Sequence, residues 1–101
     1  MSEIIAKIHE LQMHTTVAIC DKEYLGKTIE NEKISFTVSE RFFGGEQINK
    51  DELFELVNNA DSINLFGNNC INLLEKEGLI SQSSIIIING IKHAQIYKLG
   101  W

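Results

Sequence analysis

From Glu3 to Leu11 the chain alternates, with Ile4, Ala6 and Ile8 on one face and Ile5, Lys7, His9 and Leu11 on the other. That is the period-two signature of a strand. Gln12-Met13-His14 interrupts it as a hairpin loop, and Thr15 to Cys20 is again rich in β-branched residues, so an N-terminal antiparallel pair is predicted. Asp21 stands where it can cap one helical turn over 22–25, closed by Gly26 in the left-handed region. The polar stretch 28–33 reads as a surface connection. Ile34, Phe36 and Val38 then alternate with Ser35, Thr37 and Ser39 as a half-buried strand running into a loop around Arg41.

The helical signals begin at Asn49. It is a favourable N-cap, Glu52 is placed to close a capping box, and Ile48 is placed to staple against Leu53. Leu53, Leu56, Val57 and Ala60 then form one apolar stripe at helical spacing. Residues 62–66 read as a short strand, and Gly67-Asn68 as the turn that opens a second helix over about 69–77. That helix is expected to bury Cys70, Leu73 and Leu74 and to stop at Gly78, with Leu79 folding back on Leu74. The unbroken run Ile85 to Ile88 predicts a central strand covered on both faces. Asn89-Gly90 is a type I′ hairpin signal returning the chain as a last strand over 91–98. The order is β-β-β-α-β-α-β-β, an α+β fold with a mixed sheet of about five or six strands and two main helices. A parallel pairing of 62–66 with 85–88 would make the second helix a right-handed crossover.

The 101 residues, 44% of them hydrophobic, suit one globular domain over 1–101. A formal charge of -5, from 9 Lys+Arg against 14 Asp+Glu, excludes a general phosphate-tracking nucleic-acid surface. No apolar run approaches the roughly 20 residues of a membrane helix, and the acidic start Met1-Ser2-Glu3 is unlike a signal peptide. The two cysteines, Cys20 and Cys70, lack CxxC spacing and are expected as free thiols of a reducing, cytoplasmic compartment.

Candidate chemistry centres on the stretch from Ser39 to Glu46, which holds the chain's single arginine, two adjacent aromatics and its Gly-Gly pair. Arg41 with the amides of Gly44 and Gly45 is an expected cradle for a carboxylate or phosphate, with Asn64 and His93 as further contacts and Phe42 or Phe43 as an aromatic anchor. The competing structural role is a turn in which Glu40 or Glu46 neutralises Arg41 and both rings are buried. An enzyme reading uses Cys20 as nucleophile, His93 as base and Asp21 as its orienter. Against it stands a buried structural thiol beside a helix cap. His9 and His14 are expected to be solvated. A metal site from Cys20, Cys70 and His93 has no finger-like spacing, and neither a dinucleotide nor a P-loop motif occurs, so no metal or cofactor is expected. Gly67-Asn68 presents amides at a helix start, either as a simple cap or as an anion site. The leading reading is a non-catalytic binding or accessory module whose partner is a protein, a ribonucleoprotein assembly or a small anion.

Five blocks in fixed order carry a resemblance. They are Ala18-Ile19-Cys20-Asp21 with Leu25-Gly26-Lys27; Ser39 to Gly45; Asn64-Leu65-Phe66-Gly67; Glu77-Gly78-Leu79-Ile80; and Gly90-Ile91-Lys92-His93-Ala94-Gln95. Together they resemble an archaeal domain-of-unknown-function family, number four hundred and twenty-four. The family usually has a proline before the histidine, where this chain has Lys92. The resemblance implies a small cytoplasmic α+β domain and no particular activity.

Overall fold

The computed structural model describes residues 3–98; the expected domain bounds of 1–101 and the reading of Met1 and Ser2 extend outside the described residues. Strands β1 (Ile4–Leu11) and β2 (His14–Asp21) form the expected hairpin. Its turn is tighter than predicted: Gln12 and Met13 alone make it, both at positive φ, and His14 already pairs with Leu11. Residues 28–33 are more than a connection. β3 (Thr28–Glu30) pairs with β4 (Ser35–Thr37), and Asn31 Oδ1 accepts from the amides of Lys33 and Ile34 to make the turn between them, as Asx turns do. The Arg41 segment is likewise not a loop. It is the one-turn helix α1 (Glu40–Phe43), whose N-cap Ser39 accepts from the Phe42 amide at 3.2 Å. β5 (Glu46–Ile48) follows and pairs with β1.

The main helices obey their local signals. In α2 (Lys50–Asn59), Asn49 Oδ1 accepts from the Glu52 amide at 2.8 Å, while the Asn49 amide donates to Glu52 Oε1 at 3.0 Å, completing the capping box. Its last carbonyls lack a basic residue within the helix and instead receive the Lys98 ammonium, at Val57 and Asn58. After β6 (Ser62–Phe66) comes α3 (Asn68–Lys76). Its ending has the two bonds of a Schellman motif, Leu79 N–H to Leu74 O and Gly78 N–H to Glu75 O, with Gly78 at φ 75°. The buried positions of α3 are Cys70, Ile71 and Leu74, with Leu73 half-buried.

β7 (Ile85–Ile88) and β8 (Ile91–Tyr97) are joined by the expected turn, with Asn89 and Gly90 both at positive φ. The six-stranded sheet runs β5-β1-β2-β6-β8-β7. The parallel pair is β2 with β6, and the other neighbours are antiparallel. This corrects one expectation and removes the condition for the crossover. β6 pairs with β8 and not with β7, and the isoleucine run is an edge strand with Ile86 and Ile87 exposed.

Alternation sorts the sheet residues between two cores. Ile4, Ala6, Val17, Ile19, Ile63, Leu65 and Ala94 pack under α2 and α3 with Leu53, Val57, Cys70, Ile71 and Leu74. On the opposite face Ile5, Ala18, Cys20 and Phe66 pack under Val38 and Phe43, with Phe36 and Ile29 of the small hairpin half-buried above them. The small hairpin and α1 cover only part of this second face. Beyond them its inward positions turn polar, in the cross-strand row His9, Thr16, Ser62 and Tyr97.

Candidate functional site

Among the described residues, the uncovered part of that face is a groove of about 480 Å³ between α1, β4 and the sheet. Its floor is Thr16, Ser62, Asn64 and Gln95, and its walls include Phe36, Phe42 and Tyr97. The floor is tied together internally. Thr16 Oγ1 and Ser62 Oγ lie 2.7 Å apart, His14 Nε2 lies 3.2 Å from the same serine, and Gln95 Nε2 donates to Asn64 Oδ1 at 2.8 Å. The lining therefore holds no Asp, Glu, Lys or Arg, and the groove is rimmed by aromatic rings. A second depression, lined by His9, Leu11, Gln12, His14, Thr16 and Phe42, continues it along the β1–β2 hairpin.

Phe42 is the shared wall. Its half-buried ring stacks on His9, with centroids 4.7 Å apart and planes within 13°, and the Phe42 carbonyl lies 2.8 Å from His9 Nε2. A carbonyl only accepts, so Nε2 carries the proton of that imidazole. His9 is thus a structural partner of α1 and not simply a solvated side chain. Phe43, on the next position of the helix, is buried against Phe36 and Phe42. One ring of the pair is structural and the other lines the groove.

Arg41 is exposed, and among the described residues its side chain forms no ion pair, so neither Glu40 nor Glu46 neutralises it. Its backbone carbonyl receives the Lys7 ammonium at 2.8 Å, which brings a second cation to the same residue on an acidic chain. The glycines serve another purpose than expected. The amide of Gly44 donates to Glu40 O and that of Gly45 to Phe43 O, so neither is available to hold an anion. A Cβ on Gly44 would fall 2.3 Å from Glu40 O, and one on Gly45 would fall 1.9 Å from Ala6 O. Gly45 is needed because the end of α1 lies backbone to backbone on β1, and Gly44 because the chain closes tightly on the Glu40 carbonyl of α1 itself. Asn64 does share the groove with Phe42. His93 does not: it is buried beneath Phe36, centroids 4.3 Å apart, and its Nδ1 donates to Leu65 O at 2.7 Å. Burial lowers its pKa and keeps it neutral.

The residues of the enzyme reading are not assembled. Cys20, Phe66 and His93 are consecutive partners across three strands, so thiol and imidazole sit two strand spacings apart, about 9–10 Å, with the Phe66 ring between them. Burial, with Asp21 adding to it, pushes the Cys20 thiol up to about 12, the opposite of what a nucleophile requires. Asp21 faces the other way. Its carboxylate accepts from the amides of Asn69 and Cys70, each at 2.9 Å, and no side-chain bond caps the single turn after it. The helix-start amides after Gly67 do bind an anion, but it is this internal carboxylate. Gly67 makes room: it sits at φ 126°, and a Cβ there would lie 2.4 Å from Asp21 Cγ. Among the described residues no group of three or more His, Cys, Asp or Glu is placed to hold a metal ion. Of the groove floor the sequence singled out Asn64 alone; Thr16, Ser62 and Gln95 were missed, and period-two alternation along their strands was the available signal.

Lys92 reaches Glu75 Oε1 at 2.6 Å and Asn72 Oδ1 at 2.7 Å, pinning β8 to α3. No curated protein matches the chain. Among solved structures, the crystal structure of an uncharacterized conserved protein from Methanopyrus kandleri is similar at 22% identity and a TM-score of 0.76, over 97% of this chain and 93% of that one. At that identity the likeness is one of fold. The family model described as "Protein of unknown function (DUF424)" matches residues 9–99, nearly the whole length, and the chain belongs to that family.

Proposed function

We propose that the protein is a non-catalytic, cytosolic binding module that docks a segment of a protein partner along the open sheet face, with Arg41 and Phe42 at one rim. The observation that carries this is the state of Arg41: an exposed guanidinium without an ion pair among the described residues, next to Lys7 and to a ring that lines a groove. Arginine and aromatic side chains dominate binding hot spots. The uncharged hydroxyls and carboxamides of the floor suit the backbone amides of an extended segment, and the two cations favour acidic residues at its end.

The other partner classes fit less well. A small anion would need the glycine amides, which are already bonded. A nucleic acid would meet a chain of net charge -5 with two neighbouring cations in place of a phosphate-tracking stripe. The test is affinity capture from native extract with wild type, Arg41→Ala and Phe42→Ala, alongside thermal denaturation of each. The expected outcome is a protein retained by wild type and lost with Arg41→Ala, whose thermal midpoint stays within a few degrees because the side chain is exposed. Equal capture by Arg41→Ala, or capture that nuclease treatment abolishes, overturns the proposal.

A further inference from the structure

The two edges of the main sheet are built differently. β5 is three residues long and begins with Glu46, and short charged edges resist pairing with other chains. β7 is also short, one residue longer than β5, but it lacks the charge. It consists of four isoleucines, and from Ser81 to Ile91 the chain carries no charged residue and no proline. Ile86 and Ile87, on opposite faces of the strand, are 47% and 61% exposed. The sequence of a fully covered strand therefore sits at the rim, where among the described residues Ile88 is buried and Ile85 half-buried but Ile86 and Ile87 stay open.

We infer that β7 is a homodimerisation edge, pairing antiparallel with β7 of a second copy to make one continuous sheet. In a two-residue hairpin the pairs Ile88–Ile91 and Ile86–His93 exchange their backbone bonds inward. The N–H and C=O of Ile87 then lie on the open edge. A two-fold axis through Ile87 pairs it with its own copy and sets Ile86 opposite Ile88 in both directions, so the three central cross-strand contacts are isoleucine on isoleucine, and the uncharged Asn89 faces Ile85 at each end. A second copy is the occupant because the edge is its own complement and its uncharged flanks bring no like charges together, despite the net charge of -5. Pairing β7 with β5 of another copy would place Glu46 in the junction and propagate without closing, whereas β7 with β7 closes. The inference does not rest on the Arg41 surface. The axis stands perpendicular to the sheet, so both grooves open on the same side of the dimer, as a bivalent partner would require.

The test is sedimentation of the full chain over a wide concentration range, with Ile87→Lys and, as the opposite-edge control, Gln47→Lys. The expected result is twice the monomer mass for wild type and Gln47→Lys, and the monomer mass for Ile87→Lys with an unchanged circular-dichroism spectrum. If Ile87→Lys fails to fold, Ile87→Cys replaces it. Hydrogen-bonded antiparallel partners have Cα atoms about 5.5 Å apart, within disulfide reach, while Cys20 and Cys70 are buried. Oxidation should then give a covalent dimer at Ile87→Cys and none at Gln47→Cys. A monomeric wild type at every concentration, a dimer that survives Ile87→Lys, or no crosslink at Ile87→Cys overturns the inference.

Discussion

Asp21→Ala is the perturbation that most directly tests how the two halves of the chain are joined. The Asp21 carboxylate holds the amides of Asn69 and Cys70 at 2.9 Å each, from the end of β2 to the start of α3. Alanine leaves both donors without that acceptor. A buried donor left unsatisfied costs about 1–3 kcal/mol. Cys70 is fully buried, whereas Asn69 is only half-buried and water can serve its amide. Alanine also leaves a small void beside Gly67 but relieves the desolvation that raises the Asp21 pKa. The net expectation is a loss of about 2–4 kcal/mol, at the upper end of N-cap substitutions or above it. For a domain of this size that lowers the thermal midpoint by about 10–25 °C.

Asp21→Asn should lose less, because its oxygen still accepts from one amide, and it removes the titration. Burial raises the folded pKa of Asp21 above 3.8 more than its hydrogen bonds lower it. Its contribution is therefore full below the unfolded pKa and declines as pH rises through the raised folded value. In urea titrations between pH 3 and pH 7, the advantage of wild type over Asp21→Asn should shrink with rising pH. An Asp21→Ala protein within about 0.5 kcal/mol of wild type, the range of an ordinary surface change, refutes the capping argument. An advantage that grows with pH refutes the dominance of burial.

Gly45→Ala should destabilise severely or prevent folding, because its Cβ has no space beside the Ala6 carbonyl and β5 cannot then reach β1; a thermal midpoint unchanged from wild type counts against that reading. Cys20 and Cys70 should react with a thiol reagent at neutral pH only as fast as the protein opens. Both thiols are pushed up by burial, Cys20 to about 12, so folding stability should fall as pH rises above 9, where only the unfolded chain ionises them. Rapid labelling of the native protein, or stability that holds flat above pH 9, contradicts this placement.

Much of the local structure was legible because its causes are local. The Asn49–Glu52 box, the Gly78 ending and the Asn89-Gly90 turn each depend on a few neighbouring residues, and the β1 and α2 stripes on simple periods. The short elements β3, α1 and β5 were not legible, since three or four residues carry too little periodicity to declare themselves. At the site, the sequence singled out Arg41, Phe42 and Asn64 by residue type. It had no means of assigning one phenylalanine to the core and the other to the groove, because that choice depends on which side of α1 meets β1. Asp21 was read as the cap of the turn next to it; its partners lie in α3, far along the chain, and only the β2–β6 pairing brings them within reach.

By itself, then, the amino-acid order determined the secondary elements long enough to repeat a pattern, the acidic balance and the residues with chemical potential. Strand order was decided only in three dimensions, where it set an isoleucine run on the rim, put an aromatic ring between Cys20 and His93, and directed a carboxylate to a helix it does not adjoin. Periodicity and capping act over a few residues, whereas which strands become neighbours depends on how all the apolar faces are covered at once.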